Sequence, residues 1–122
     1  MYSERLLDHF RNPRNAGELP PPAVTVEVMQ PVCGDILRLS ARLENGRVAE
    51  ARFQAKGCTA SMAAGSALTG LLTGKIESEL RAIKAADVEE ALGGLPAESR
   101  HAALLAVDAV RALLARAAAS GV

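Results

Sequence analysis

The sequence predicts an α+β fold in which helices cover one face of a three-stranded antiparallel sheet. Residues 24–28, 37–43 and 49–55 alternate apolar and polar side chains, which is the two-residue period of a half-buried strand. Asn45-Gly46, between the second and third strands, is the dipeptide that a tight type I′ hairpin turn prefers. A sheet with one apolar face needs a covering layer, so the remaining patterned segments are interpreted as helices.

Helices are predicted both before and after the three strands along the chain. Ser3 stands in the N-cap position of the first helix. The helix after the sheet is rich in Ala, Leu, Ser and Gly, and its Gly65 and Gly70 are expected to permit close approach of a neighbour. A long C-terminal helix carries Leu105 and Leu113 on one stripe. The predicted helices span residues 3–10, 58–73, 76–83, 86–92 and 98–119.

The composition narrows the class of protein. A chain of 122 residues is expected to form one domain, covering residues 1–122. Fourteen basic and fourteen acidic residues cancel, so neither nucleic acid nor an anionic membrane is an expected partner. The sequence has no apolar run long enough for a membrane span and no signal-peptide pattern, which predicts a cytoplasmic location.

Both cysteines flank the predicted hairpin, and an acidic residue accompanies the first of them. Cys33 and Asp35 lie in the loop before the second strand, and Gly34 between them lets the backbone turn. Cys58 lies at a predicted helix start, where free N–H groups and the helix dipole favour a thiolate. The hairpin is expected to bring these segments together, and thiolates bind soft metals, so Cys33, Asp35 and Cys58 are candidate metal ligands. His101 in the last helix is the best candidate for a fourth ligand.

Simpler interpretations of the same residues stay open from the sequence. Cys58 could be a small buried apolar side chain, Asp35 a turn residue and His101 a hydrogen-bonded cap or surface residue. Asp108 could orient His101 from the same helix face or be a solvated charge. The cysteines could form a disulfide, although metal binding, sulfur chemistry or burial is more expected in a reducing compartment.

Five segments, in order along nearly the whole chain, carry a family resemblance. They are residues 2–17, Cys33-Gly34-Asp35, Ala51-Arg52-Phe53, Gly57-Cys58 and Asp108-Ala109. In these segments the chain resembles the IscU/NifU-type (NifU N-terminal domain-like) iron–sulfur cluster assembly scaffolds. The resemblance implies a SufE/NifU-like fold, with a three-stranded antiparallel sheet covered by helices and an exposed pocket at one end.

The resemblance also implies roles for individual residues. Cys33 matches the family's first cysteine, and Asp35 matches the aspartate that keeps the cluster exchangeable. Cys58 matches the second cysteine, and His101 matches the histidine that precedes the third. In that family a cysteine desulfurase supplies sulfur, iron joins it, and a labile [2Fe–2S] cluster passes to recipient apo-proteins. The implied role is that of a scaffold or carrier, not an enzyme.

Two segments depart from the family pattern. Ala102 occupies the position of the third cysteine, which makes the chain a divergent member whose ligand set would be completed by His101. Residues 95–99 lack the lysine of the family's chaperone-binding segment, which argues against a DnaK-type chaperone as a partner. Two alternatives therefore stay open: a zinc-binding or regulatory paralogue that no longer assembles clusters, and a metal-free protein that docks on a desulfurase.

Overall fold

The structure is a computed structural model that describes residues 1–31 and 34–119. Its helices and strands follow the predicted order along the chain. They are α1 (Glu4–Arg11), β1 (Val24–Met29), β2 (Ile36–Glu44), β3 (Arg47–Lys56), α2 (Thr59–Leu72), α3 (Glu77–Arg81), α4 (Ala85–Ala91), a 3-10 turn (Ala97–Ser99) and α5 (His101–Ala119).

The three strands form one antiparallel sheet in the order β1-β2-β3. Rows of apolar side chains cross its inner face, as in Val26 beside Leu39 beside Phe53, and all three are buried. Helix α5 packs on β1 and β2, while α2 packs on β3. The predicted α+β class, with helices covering a three-stranded sheet and a long C-terminal helix, is therefore confirmed.

The β2–β3 hairpin turns at Asn45-Gly46, as predicted. Asn45 has φ +52° and Gly46 has φ +76°, which are the left-handed values that a type I′ turn requires at both central residues. Because both residues adopt this region readily, the local sequence is sufficient to set the turn.

A bulge corrects the predicted pattern of the third strand. Arg42 pairs with Glu50 but Leu43 pairs with Val48, so Ala49 has no opposite residue. The alternation changes phase at that point, and Val48, with 1% of its surface exposed, takes the inward position that was predicted for Ala49. The prediction was wrong there because strand alternation alone does not reveal an extra residue.

The segment after α1 extends the sheet beyond β3. The Phe53 N–H donates to the Asn15 carbonyl at 2.9 Å, and the Gly17 N–H donates to the Phe53 carbonyl at 2.8 Å. Helix α2 holds the same segment from the other side, because the Arg14 N–H donates to the Ser66 hydroxyl at 2.8 Å. The N-terminal run thereby covers the outer edge of the sheet.

The two glycines inside α2 have different surroundings. A Cβ on Gly65 would lie 2.4 Å from Cδ2 of the buried Phe53, so this glycine allows the helix to lie close to β3. A Cβ on Gly70 would meet nothing within 4 Å, and Gly70 is exposed. The predicted close approach is confirmed at Gly65 and wrong at Gly70.

Two of the later helices, α3 and α5, are shorter than predicted. Helix α3 ends at Arg81, where the chain forms a tighter turn. Helix α5 begins at His101, because the first residues of the predicted helix form a 3-10 turn instead. Leu105 and Leu113 are buried on the face of α5 that covers the sheet. Among the described residues, none of the helices combines the length and apolarity needed to cross a membrane.

Substituting the two glycines of α2 tests this packing. Gly65→Ala is expected to lower the free energy of unfolding by about 1–3 kcal/mol, because the new methyl group must displace the ring of Phe53. Gly70→Ala, the matched control, is expected to raise it by about 0.5–1 kcal/mol, because alanine favours the helix and meets no neighbour. Urea denaturation of both variants measures the difference, and a Gly65→Ala variant as stable as Gly70→Ala would contradict the close packing.

Candidate metal site

Three of the predicted site residues come together at one end of the sheet. Asp35 directly precedes β2, Cys58 directly precedes α2, and His101 is the first residue of α5. One ligand atom from each side chain lies within 4.8 Å of the other two. Cys33, the fourth predicted ligand, lies outside the described residues.

Gly34 and Gly57 allow the backbone conformation and the close packing that position the Asp35 carboxylate. Gly34, at φ +74°, lets the β1–β2 loop close, and within this loop the Gln30 N–H donates to the Asp35 carbonyl at 2.8 Å. Gly57 lies against the side chain of Asp35, since a Cβ on Gly57 would be 2.5 Å from Cγ and Oδ1 of that carboxylate. Gly57 also has φ +147°, which L side chains rarely adopt.

Cys58 is the N-cap residue of α2, as the sequence predicted for the start of this helix. Its thiol is free and half-buried, and it does not cap the helix itself. The Sγ atom lies 3.5 Å from Asp35 Oδ2 and 3.8 Å from His101 Nε2. The thiol therefore points across the site and does not accept a hydrogen bond from the first N–H groups of the helix.

His101 faces the same carboxylate. Its Nε2 lies 3.3 Å from Asp35 Oδ2, and about a fifth of its side chain, 19%, is exposed. Asp108 does not accompany it: the Asp108 carboxylate is 62% exposed and lies 4.0 Å from Arg111 on the same helix. Of the two interpretations of Asp108, the solvated charge is therefore the right one.

Ser61 is a site residue that the sequence analysis missed. It lies in the first turn of α2, three residues after Cys58, and only 1% of its surface is exposed. Its hydroxyl donates to Asp35 Oδ2 at 2.5 Å and lies 3.4 Å from Cys58 Sγ. The three-residue spacing from Cys58, which puts both side chains on one helix face, was the signal that could have found it.

Asp35 carries its negative charge in a buried position. Burial acts to raise the pKa of its carboxyl group, but hydrogen bonds from Ser61, Cys58 and His101 outweigh that effect and hold the pKa below its usual value. The carboxylate is therefore anionic at neutral pH, although only 6% of the residue is exposed.

The three donor atoms fit a metal ion in both chemistry and spacing. A thiolate sulfur, an imidazole nitrogen and a carboxylate oxygen are the donors that zinc and iron accept. A tetrahedral ion with bonds of 2.0–2.3 Å has its ligand atoms about 3.3–3.8 Å apart. The separations among Asp35 Oδ2, Cys58 Sγ and His101 Nε2 are 3.3, 3.5 and 3.8 Å. The described part of the site thus resembles three corners of a tetrahedron.

Comparison with known proteins identifies the family. The sequence model of the NifU-like N terminal domain matches residues 1–119, and the chain belongs to that family. It is 40% identical over 111 residues to an iron–sulfur cluster assembly scaffold protein, IscU 1, of Archaeoglobus fulgidus, covering 91% of this chain and 72% of that protein. The IscU scaffold protein of Escherichia coli K12 is 37% identical over 118 residues, covering 93% and 91%. The predicted family resemblance is confirmed.

A solved structure supports the fold independently. The N-terminal part of a NifU-like protein from Brucella abortus superposes with a TM-score of 0.61 at 24% identity, covering 94% of this chain and 81% of that one. At this level of identity the similarity concerns the arrangement of helices and strands. It agrees with the predicted SufE/NifU-like fold.

The acid dependence of stability tests the buried charge of Asp35. Because the folded-state pKa of Asp35 lies below its ordinary value of 3.8, the contribution of Asp35 to stability is present above about pH 4 and is lost as the pH falls further. The difference in free energy of unfolding between the metal-free protein and its Asp35→Asn variant should therefore shrink below about pH 4. Asp108→Asn is the exposed control, and a difference for Asp35→Asn that grows with acidity would contradict the assignment.

A pair of glycine substitutions tests how the carboxylate is positioned. Gly34→Ala places a methyl group at φ +74°, in the left-handed region, which costs about 1–2 kcal/mol, and Gly57→Ala places one at φ +147°, where backbone strain costs about 1–3 kcal/mol. The methyl group of Gly34→Ala enters open space, whereas that of Gly57→Ala meets Asp35. We expect Gly57→Ala to lose about 1–3 kcal/mol more in urea denaturation. Equal losses would show that Gly57 does not support the carboxylate.

Proposed function

We propose that this protein is an iron–sulfur cluster assembly scaffold that binds iron and a labile [2Fe–2S] cluster for transfer to apo-proteins. The observation that carries the proposal is the convergence of Asp35, Cys58 and His101 at one end of the sheet, in a chain of the NifU-like N terminal domain family. Relatives with 37–40% identity over most of the chain are named as such scaffolds. The proposed role is that of a carrier without turnover chemistry of its own.

The proposed ligands divide into two kinds. Cys33 and Cys58 would supply thiolates, which bind iron in clusters most strongly. Asp35 would be the exchangeable ligand and His101 the fourth, because a carboxylate and an imidazole hold a cluster less tightly than thiolates do. Such mixed ligation suits a protein that must release what it holds. Support for Cys33 comes from its sequence position, two residues before Asp35.

His101, and not the neighbouring Ala102, is the proposed ligand from α5. Ala102 follows His101 in the first turn of α5, and only 1% of Ala102 is exposed. An alanine offers no ligand atom, so the interpretation that it replaces a third cysteine makes His101 the ligand from this helix. A cysteine provided by another subunit would be an alternative fourth ligand.

Exposed apolar side chains near the proposed site are suited to contact with partner proteins. We propose a cysteine desulfurase as the sulfur donor and apo iron–sulfur proteins as recipients. Met29, whose strand partner Ile36 follows Asp35 in the chain, is 60% exposed, and Leu104, one turn after His101, is 54% exposed. These apolar side chains near the site suit contact with another protein. A DnaK-type chaperone is not proposed, because residues 95–99 lack the expected lysine.

Two further parts of the proposal concern the whole chain. We propose that residues 1–122 act as one scaffold domain, which is supported by the apolar cluster that α1, the sheet and the later helices share among the described residues. We also propose that it works in the cytoplasm, where reducing conditions keep the thiols free to bind metal.

Zinc is an alternative occupant that the spacing of the donor atoms also fits. The separations of 3.3–3.8 Å among the three donor atoms fit a single tetrahedral ion as well as they fit one iron of a cluster. A zinc-binding paralogue would use the same residues but would carry no acid-labile sulfide. The amounts of zinc, iron and acid-labile sulfide bound to the protein therefore distinguish the two functions.

Anaerobic reconstitution with iron and sulfide tests the proposal. We expect sulfur-to-iron charge-transfer absorption, with iron and acid-labile sulfide in equal amounts. Cys58→Ala should lose this absorption almost completely, because one of the two thiolates is removed. Asp108→Ala, which removes an exposed carboxylate of α5, should keep it. A folded Cys58→Ala variant with an intact cluster would falsify the ligand assignment, and a colourless protein that retains zinc would favour the paralogue.

A further inference from the structure

Ser61 is a buried polar side chain that the proposed function does not use as a ligand. Its hydroxyl contacts two of the three donor groups in the described part of the site, with Oγ 2.5 Å from Asp35 Oδ2 and 3.4 Å from Cys58 Sγ. With 1% of its surface exposed, Ser61 lies beneath the site and away from solvent. Its position is that of a support for the ligands.

Metal binding would remove some of the hydrogen bonds to Asp35 and leave others. Asp35 Oδ2 faces the Ser61 hydroxyl, the Cys58 thiol and the His101 ring. A thiolate and an imidazole nitrogen that coordinate an ion have no proton left on those atoms to donate. The Ser61 hydroxyl and the Cys58 backbone N–H, which also bonds to Asp35, keep their protons.

We propose that Ser61 is a positioning residue that fixes the Asp35 carboxylate for metal binding. This inference rests on the proposed function, because it requires Asp35 to be a ligand. Hydrogen-bond partners of metal ligands set the orientation of those ligands, and removing one commonly lowers metal affinity about 10–100-fold. Ser61 thereby acts on the metal through Asp35 and does not coordinate it.

A double-mutant cycle separates this role from a general effect on the fold. The probe is Zn²⁺ added to the metal-free full chain, with affinity measured by competition against a chromophoric chelator. We expect Ser61→Ala to weaken Zn²⁺ binding about 10–100-fold. In the Asp35→Ala background the same substitution should change affinity by less than about twofold, because the group that Ser61 positions is gone. Equal effects in both backgrounds would overturn the inference.

Ser66 is the matched control in the same helix. It is also a buried serine, but its hydroxyl bonds to His9 and to the Arg14 N–H, away from the site. Ser66→Ala should therefore keep native Zn²⁺ affinity even if it lowers stability. A loss of affinity as large as that of Ser61→Ala would show that damage to α2 explains both results.

A second pair of variants keeps the test valid if Ser61→Ala folds poorly. Ser61→Thr and Ser61→Val have nearly the same shape, and threonine alone keeps the hydroxyl. We expect Ser61→Thr to bind Zn²⁺ at least about tenfold more tightly than Ser61→Val. Equal affinities would mean that the hydroxyl has no role in metal binding.

The outcomes also separate the inference from the proposed function. If Cys58→Ala binds Zn²⁺ as tightly as the native protein does, the ligand set itself is wrong. If Cys58→Ala loses binding while Ser61→Ala keeps native affinity, the ligand set stands and only the role of Ser61 is overturned. In cobalt(II) spectra of the same variants, the intensity of the sulfur-to-cobalt charge-transfer band reports whether both proposed thiolates still coordinate when Ser61 is changed.

Discussion

The close contact between α2 and the sheet is the constraint on which the site depends. Gly65 brings the helix against Phe53 of β3, and this contact fixes where the helix begins relative to the end of the sheet. Helix α5 lies on β1 and β2 of the same face, and His101 at its start therefore reaches the same end. Tight core packing transmits these positions to the side chains, because a packed interior tolerates little displacement. The apolar core thus sets the spacing of the polar site.

A buried carboxylate at this junction has both structural and chemical consequences. Leaving Asp35 charged and unpaired in the interior would be strongly unfavourable, and the hydrogen bonds from the surrounding donors outweigh that effect of burial. The groups that satisfy the carboxylate, Cys58 and His101, are the same groups that offer ligand atoms to a metal. The same arrangement therefore satisfies the buried charge and brings three candidate ligand atoms together, with the Ser61 hydroxyl bonded to the carboxylate.

The N-terminal run that carries much of the family resemblance has a mainly structural place here. Asn15 adopts φ +59°, donates to the Thr69 hydroxyl at 3.1 Å and accepts from Arg52 at 2.9 Å. His9 bonds to Ser66 at 2.8 Å, and burial holds the pKa of His9 below its ordinary value, which keeps the ring neutral. Together these contacts attach α1 and the following segment to α2 and β3.

The amino-acid sequence by itself determined the elements that depend on local patterns. Alternating apolar residues predicted the strands and Asn45-Gly46 predicted the hairpin turn, because strand faces and left-handed turns are local properties. Tertiary structure decided the rest: the bulge at Ala49, the different surroundings of Gly65 and Gly70, and the contact of Ser61 with Asp35. Each of these depends on which distant segment lies opposite, and that is set only when the helices pack on the sheet.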